Sequence, residues 1–425
     1  MLKVSFLKKN KKKIFLGLKK RNYYKFYRIN YILILNKESK KLKLKLDNLR
    51  YYLNFFSKKI EFFLKKCEKE KMKIIINYSF FLKKKIKEKN KKLKKINNKI
   101  FENIIKIPNL PFEEGNKKIY LLDIDNKISS KKEFFLKKNE KILSHWELGN
   151  KFNLFSTKIG SIISGNGFNV FINKGALLQR SLIQYFLDKN ISSGYIEYVL
   201  PYLVKKNSVY GTGQIPDKKS QMYHLNSENL YLVPTGEVPL INIFCNKIFK
   251  ESELPIKATT YTSCFRRESG SYGTKVRGLN RLHQFDKVEI IQINTCKNSY
   301  FSFNEMVHHI KNLLISLDLP FRIIKLCGND LGFTSALTYD FEVYSPGQKK
   351  WLEVSSVSNC TNFQSNRIKL KYRSYNGKIK LCHTLNGSSL AIPRIISAII
   401  ENYQTKNYII IPKVLIPYMK MEKLL

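Results

Sequence analysis

Apolar side chains at Ile32, Leu35, Leu42, Leu46, Leu49, Leu53, Phe56, Ile60 and Phe63 recur at alternating steps of three and four residues, with Ser39 in the one polar place. A repeat sustained for that long leaves one solution, a long helix whose apolar seam is closed by another helix. A second, weaker series at Leu82, Ile86, Leu93, Ile96, Ile100 and Ile104 can close it, and the turn between the two is expected within residues 67–77. The pair predicts an antiparallel hairpin. A helix over residues 32–66 spans on the order of 50 Å at about 1.5 Å per residue, enough to project beyond a globular body.

Charge narrows what such an arm can meet. Residues 1–106 hold 35 Lys and Arg against 7 Asp and Glu, so 28 of the chain's 46 net positive charges lie in a quarter of its length. That suits a grip on phosphate backbone and RNA shape, with an affinity that falls steeply with salt. The excess of Lys, Asn, Ile, Tyr and Phe, all with AT-rich codons, is a second source of the same charge, and a solvated helical surface stays open as the alternative. No apolar run approaches the roughly 18 residues that cross a bilayer, and the Lys-broken N-terminus lacks the apolar core and cleavage site of a signal peptide. A transit peptide, basic and weakly defined, is harder to exclude. The seven cysteines and six histidines show no close metal-ligand spacing, so reduced thiols in a cytoplasmic protein are expected.

Ile107-Pro108-Asn109-Leu110-Pro111 must end the second helix, because proline cannot continue it and restricts the residue before it. The chain therefore divides into an arm, residues 1–106, a linker, 107–144, and a body, 145–425, and the 43% hydrophobic content of the whole chain is ample for a large core. Within the body, residues 261–290 read as two strands joined by a basic, glycine-rich loop carrying Gly270, Gly273, Lys275, Arg277, Gly278 and Arg281. The first strand ends in Phe265-Arg266-Arg267-Glu268, and the return alternates so that His283, Phe285, Lys287 and Glu289 share a face. An arginine beside a glutamate suits an anionic ligand that also carries an amine, as a nucleotide does, and equally suits a charged surface hairpin. Earlier, Thr235-Gly236-Glu237 interrupts an apolar strand between Pro234 and Pro239. Such a turn fixes a hydroxyl and a carboxylate where a small ammonium ligand fits.

Phe265-Arg266-Arg267-Glu268, the loop and His283-Gln284-Phe285-Asp286-Lys287-Val288-Glu289 resemble motif 2 of class II aminoacyl-tRNA synthetases, and more narrowly the bacterial type of the seryl-tRNA synthetase family. Further segments resemble that family in order: the heptad hairpin, IPNLP, His145-Trp146-Glu147-Leu148-Gly149, and Ser164-Gly165-Asn166-Gly167-Phe168. A helix over 175–189 and a strand over 195–201 look like motif 1, Glu353-Val354-Ser355-Ser356 like the strand between motifs 2 and 3, and residues 383–394 like motif 3. HWELG and SGNGF read better as packing and turn residues than as chemistry. The class I signatures HIGH and KMSKS are absent, and the zinc-ligand spacing of the atypical archaeal seryl enzymes is not evident.

The resemblance implies an α+β fold, an antiparallel sheet with flanking helices preceded by an antiparallel coiled-coil helical arm. It implies a homodimer joined through motif 1, and a serine–tRNA ligase using ATP with Mg²⁺ and no zinc. The arm would hold tRNA(Ser), with tRNA(Sec) a further candidate. Residue by residue, it gives Arg266 to the ATP α-phosphate and serine carboxylate, Glu268 to the adenine amine and Phe285 to stacking on adenine. Thr235, Gly236 and Glu237 match the serine-holding Thr-Ala-Glu segment, Glu289 would read the serine amine and hydroxyl, and Asn386 and Ser388 match serine-pocket positions. Glu353 and Ser356 would hold the metal, Val354 and Ser355 line the nucleotide site, and Arg394 meets ATP from the side opposite motif 2. Lys275 and Arg277 would meet the tRNA acceptor end.

Departures from the family are Gly236 for alanine, Arg267, counted with the ATP-binding residues, where a small residue is usual, Leu337 for lysine, and Ser389 and Pro393 for glycine. Two other classes remain. An idle RNA-binding relative would have lost adenylation residues, yet Arg266, Glu268, Glu353 and Arg394 are all in place. An amino-acid:carrier-protein ligase would lack the long arm.

Overall fold

The heptad seam is closed by the partner that its spacing demands. The computed structural model describes residues 1–66, 68–112, 119–123, 141–216, 220–268 and 277–425, with the backbone alone at 119–123. Its contacts group into two units, Met1–Pro108 and Asn109–Leu425.

In the first unit, helix α1 (Tyr27–Lys65) runs antiparallel to α2 (Lys69–Ile104). The pairing is explicit across the seam: Arg28 donates to Asn103 Oδ1 at 3.2 Å, Ser39 to Asn97 Oδ1 at 3.0 Å, and Phe56 packs edge-on to Tyr78 at 5.1 Å. As one partner number rises the other falls. Ser39, the polar place in the seam, is thus answered by a polar side chain from the opposite helix. Two short helices, Val4–Lys9 and Lys11–Lys19, precede the hairpin and bury Leu7, Ile14 and Leu18 alongside Ile29 and Ile32. Each such aliphatic side chain contributes about 1.5–3 kcal/mol on burial. The turn is tighter than expected: α2 already begins at Lys69, so most of residues 67–77 is helical.

The second unit is built on an eight-stranded sheet of β1 (Ile119–Asp123), β2 (Ile196–Glu197), β3 (Ile256–Phe265), β4 (Gln284–Asn294), β5 (Phe321–Lys325), β6 (Leu337–Ser345), β7 (Lys350–Asn359) and β8 (His383–Ala391). Its order is β1-β5-β6-β7-β8-β4-β3-β2, antiparallel throughout except for the edge pair β2–β3. Part of the expected linker is therefore an edge strand. The motif 1 strand is shorter than the expected 195–201, since only Ile196 and Glu197 pair with Ala258 and Thr259 before the chain leaves the edge towards Pro201.

One sheet face is covered by α3 (Lys174–Ser192), α4 (Ser299–Ser316) and α5 (Ile392–Asn402). Leu178, Leu182 and Phe186 of α3, Phe303 and Ile310 of α4, and Ile395 and Ile399 of α5 share one core with Val288, Ile290, Phe341 and Val357 of the sheet. Leu337 belongs to the same core at 3% exposure, so the departure from lysine there fills the interior. Ile291 and Ile293 pack under Leu240, Ile241 and Phe244 in a second cluster. The Thr-x-Glu turn accordingly does not end a strand in a loop. It leads into the short helix Glu237–Asn242, with Pro239 inside the first turn, where its missing N–H is tolerated. No helix among the described residues is long and apolar enough to cross a membrane.

Candidate active site

The strands leave a cleft of about 790 Å³. Thr235, Glu237, Arg266, Glu268, Phe285, Glu289, Glu353, Val354, Ser355, Ser356, Asn386, Ser388 and Arg394 all line it. Alternation along β4 explains part of this: Phe285, Lys287 and Glu289 face the cleft while Val288 and Ile290 face the helices. His283 lies just before the strand and is not among the lining residues. It is bonded to the Tyr223 hydroxyl at 2.7 Å.

Two irregularities complete the set. A regular strand puts residues three apart on opposite faces, so Glu353 and Ser356 could not both face the cleft. The register of β7 against β6 steps from Ser355–Phe341 to Glu353–Glu342, which leaves Val354 as the extra residue of a bulge and brings both side chains to the cleft. In β8, Ser389 and Leu390 together oppose Val288, which returns Ser388 and Ala391 to the lining. Leu390 has φ 67°, which costs about 1–2 kcal/mol. Its fully buried side chain offsets the cost.

The floor is polar and almost dry. Lys287 Nζ donates to Thr235 Oγ1 at 2.9 Å and forms an ion pair with Glu289. Thr235 Oγ1 donates to Glu289 Oε2 at 3.3 Å, and Ser388 Oγ lies 3.5 Å from the same oxygen. Gln364 Nε2 donates to Glu237 Oε1 at 2.6 Å, and its own carbonyl accepts from Thr384 at 2.7 Å. Burial first, then the neighbouring Glu289 carboxylate, pushes the Glu237 carboxyl up to about 7. Two carboxylates against one ammonium give this floor a place for a second cation, and Lys287 shows how an ammonium is held there.

The rim adds guanidinium groups beside Glu268 and Glu353. Arg266 Nε donates to Pro234 O at 3.1 Å, and its guanidinium lies 5.2 Å from the centre of the Phe285 ring. A base stacked on that ring would bring its phosphates beside the arginine. Arg394 stands in the first turn of α5, opened by Ile392 and Pro393, and its Nη1 donates to Glu353 O at 2.6 Å. Pro393 therefore does not keep Arg394 out of the cleft. Glu268 is already ion-paired with Arg281, which must exchange for any amine the carboxylate reads.

Arg267 and Gly236 are not among the lining residues. Arg267 is exposed, its backbone N–H bonded to Gln221 O at 2.8 Å, so the extra charge turns away from the cleft. Lys275, Gly270 and Gly273 lie outside the described residues, and Arg277 packs its guanidinium 5.0 Å from the Trp146 ring. Sequence reasoning missed Gln364, which nothing local marks, and placed Lys287 on the right face without its ion pair. It also missed what holds the loop's return end: His145 Nε2 accepts from Leu279 N at 3.0 Å while its Nδ1 meets the buried Glu401 at 2.8 Å. HWELG is thus packing, as expected, opened by a Ser144–Glu147 capping box.

Gly236 is explained by what surrounds it. A Cβ there would lie 2.9 Å from Thr260 Cγ2, 3.0 Å from Thr262 Oγ1 and 3.4 Å from Glu289 Cβ. These β-branched side chains fill the space an alanine would use. Gly236→Ala is expected to destabilise the fold by about 1–3 kcal/mol through overpacking, and Thr260→Ser, which removes Cγ2, to restore most of the loss. Thermal melts of the single and double variants measure both.

The hard-oxygen donors Glu353, exposed to the cleft, and Ser356 suit a Mg²⁺ ion whose remaining ligands come from nucleotide phosphates and water. Among the described residues no three His, Cys, Asp or Glu side chains converge on one point.

Comparison with known proteins follows the same division of the chain. Residues 1–111 match the family described as seryl-tRNA synthetase N-terminal domain, and residues 221–403 match the tRNA synthetase class II core domain (G, H, P, S and T). A serine–tRNA ligase of Phytoplasma mali is 41% identical over 99% of each chain, and one of Methylacidiphilum infernorum 41% over 93% of each. The solved seryl-tRNA synthetase of Pyrococcus horikoshii, complexed with ATP, superposes with a TM-score of 0.87 at 27% identity, covering 100% of this chain and 99% of that one. Identity of 41% along nearly the whole length, with both domains in order, means that this chain belongs to the seryl-tRNA synthetase family.

Proposed function

We propose that the cleft activates L-serine with ATP to seryl-adenylate and passes the seryl group to the 3′-terminal adenosine of tRNA(Ser), in the cytoplasm. The observation that carries this reading is the segregation of charge: an acidic, hydroxyl-lined floor for an amino acid's ammonium, and an arginine rim for phosphates. The presence of Arg266, Glu268, Glu353 and Arg394 around one cleft supports an active enzyme over an idle relative.

The serine carboxylate attacks the α-phosphorus in line, a P–O bond to pyrophosphate breaks, and the mixed anhydride forms. Arg266 orients the carboxylate and α-phosphate, and Arg394 holds the nucleotide from the other side. No side-chain nucleophile takes part; positioning and electrostatics do the work. Glu353 and Ser356 would hold Mg²⁺, which supplies positive charge to the ATP phosphates when bound. In the second step the ribose hydroxyl of the terminal adenosine attacks the seryl carbonyl and AMP leaves. Thr235, Glu237 and Glu289 bind the serine ammonium, and Glu289 with Ser388 the hydroxyl. Alanine leaves those buried groups unpaired, and threonine is excluded by size. Transfer of labelled serine, and of none of the other amino acids, to a tRNA(Ser) transcript tests the whole reaction; a transcript left uncharged by a protein that binds it counts against the reading.

The elevated Glu237 sets a pH dependence. A carboxyl raised in the folded state stabilises fully below the ordinary carboxylate range, and loses that contribution as pH rises through about 7. A bound ammonium favours the carboxylate. Serine KM is therefore expected to fall as pH rises and to level off above about 7, and Glu237→Gln to flatten that profile.

A homodimer is supported by the apolar side chains of the β2 edge, where Ile196 and Val199 are 59% and 93% exposed. Ile196→Asp with Val199→Asp is expected to sediment as a monomer at micromolar concentration while the parent protein sediments as a dimer.

A further inference from the structure

Leu44, Tyr51, Phe55 and Phe62 follow one another along α1 at steps of seven, four and seven residues. That spacing puts them on a single helix face, away from the seam occupied by Leu46, Leu49, Leu53 and Phe56. They are 66%, 67%, 43% and 52% exposed, although exposed large apolar residues are ordinarily scattered singly. Lysines share the face: Lys59 Nζ lies 4.8 Å from the Phe55 ring centre and Lys66 Nζ 4.6 Å from that of Phe62. On α2, Ile74 and Phe81 are 69% and 46% exposed, with Lys85 Nζ 4.2 Å from the Phe81 ring centre, while Tyr78 turns to Phe56 at the seam. Asp47, at the border of the first row, is paired with Arg50 at 3.3 Å.

A grip on phosphate alone needs only the lysines, and rings held in water oppose the hydrophobic effect. Rings interleaved with cations are instead the make-up of surfaces on which unpaired bases stack while the charges follow the phosphates. We propose that the stripe Tyr51–Phe55–Phe62 is a base-stacking surface for unpaired nucleotides of the bound RNA, with Lys58, Lys59 and Lys66 holding the adjoining phosphates. This rests on the reading of the arm as an RNA grip and adds a component that salt does not screen.

The full-length protein is titrated by filter binding against a tRNA(Ser) transcript and a fully paired RNA duplex, over a series of salt concentrations. The triple variant Tyr51→Ala, Phe55→Ala, Phe62→Ala is expected to bind the transcript about tenfold or more weakly, with an unchanged slope of log Kd against log salt and unchanged binding to the duplex. Phe55→Tyr with Phe62→Tyr keeps the rings and binds as the parent does. Replacing Lys58, Lys59 and Lys66 by alanine lowers the slope. Equal affinity of the triple variant and the parent, or an equal loss on transcript and duplex, overturns the stripe alone. A parent protein that binds neither RNA overturns the arm's reading and the stripe with it. A stripe variant that changes sedimentation without changing RNA affinity assigns the surface to a second copy of this chain and overturns the proposal too.

Discussion

Arg266→Ala is expected to lower serine-dependent ATP–pyrophosphate exchange by about 10²–10³-fold, the loss that follows removal of one donor aimed at charge developing in a transition state. The side chain leaves β3 at the cleft and is steadied by the Pro234 carbonyl at 3.1 Å and by the Phe285 ring. Its head is therefore held in place before any phosphate arrives. The fall should appear mainly in kcat, because the α-phosphorus gains equatorial charge only as the serine oxygen attacks. Arg266→Lys is expected to recover little, since an ammonium cannot offer the flat two-donor fork that grips a carboxylate and a phosphate together. Steady-state exchange with ATP and serine varied separately measures the split, and unchanged kcat in Arg266→Ala contradicts the role.

Glu289→Ala is expected to have a comparable effect by a different route. The carboxylate is 1% exposed, in an ion pair with Lys287 and bonded to Thr235, so its removal strips the serine site and strands a buried ammonium. Loss of one partner from a buried pair costs about 3–5 kcal/mol of stability, and loss of serine affinity of about a hundredfold or more accompanies it. Glu289→Gln separates the two in part, keeping the shape and an acceptor oxygen for Lys287 and Thr235 while removing the charge that binds the serine ammonium. Full serine exchange in Glu289→Gln, at parental KM, removes Glu289 from the serine site.

What the sequence made legible is what depends on short-range pattern. The heptad seam, the alternation of Phe285, Lys287 and Glu289, and the proline stop after the second helix each follow from a few neighbouring residues. The antiparallel sheet was legible through motif order. Features set by distant partners were not. The bulge at Val354, which turns Glu353 and Ser356 to one face, is a matter of register against β6. Gln364 is 127 positions from the Glu237 it holds. Gly236 is required by Thr260 and Thr262, more than twenty positions away, which fill the space a Cβ would occupy. The early start of α2 and the edge strand within the expected linker reflect packing and pairing that override local composition.

The most direct measurement is ATP–pyrophosphate exchange by the purified protein without tRNA, each amino acid being supplied in turn. The charge-segregated cleft predicts exchange with serine, little with threonine or alanine, and none with the rest. Folded protein that exchanges no label with serine, or exchanges it equally with alanine, contradicts a floor built to read an ammonium and a hydroxyl together.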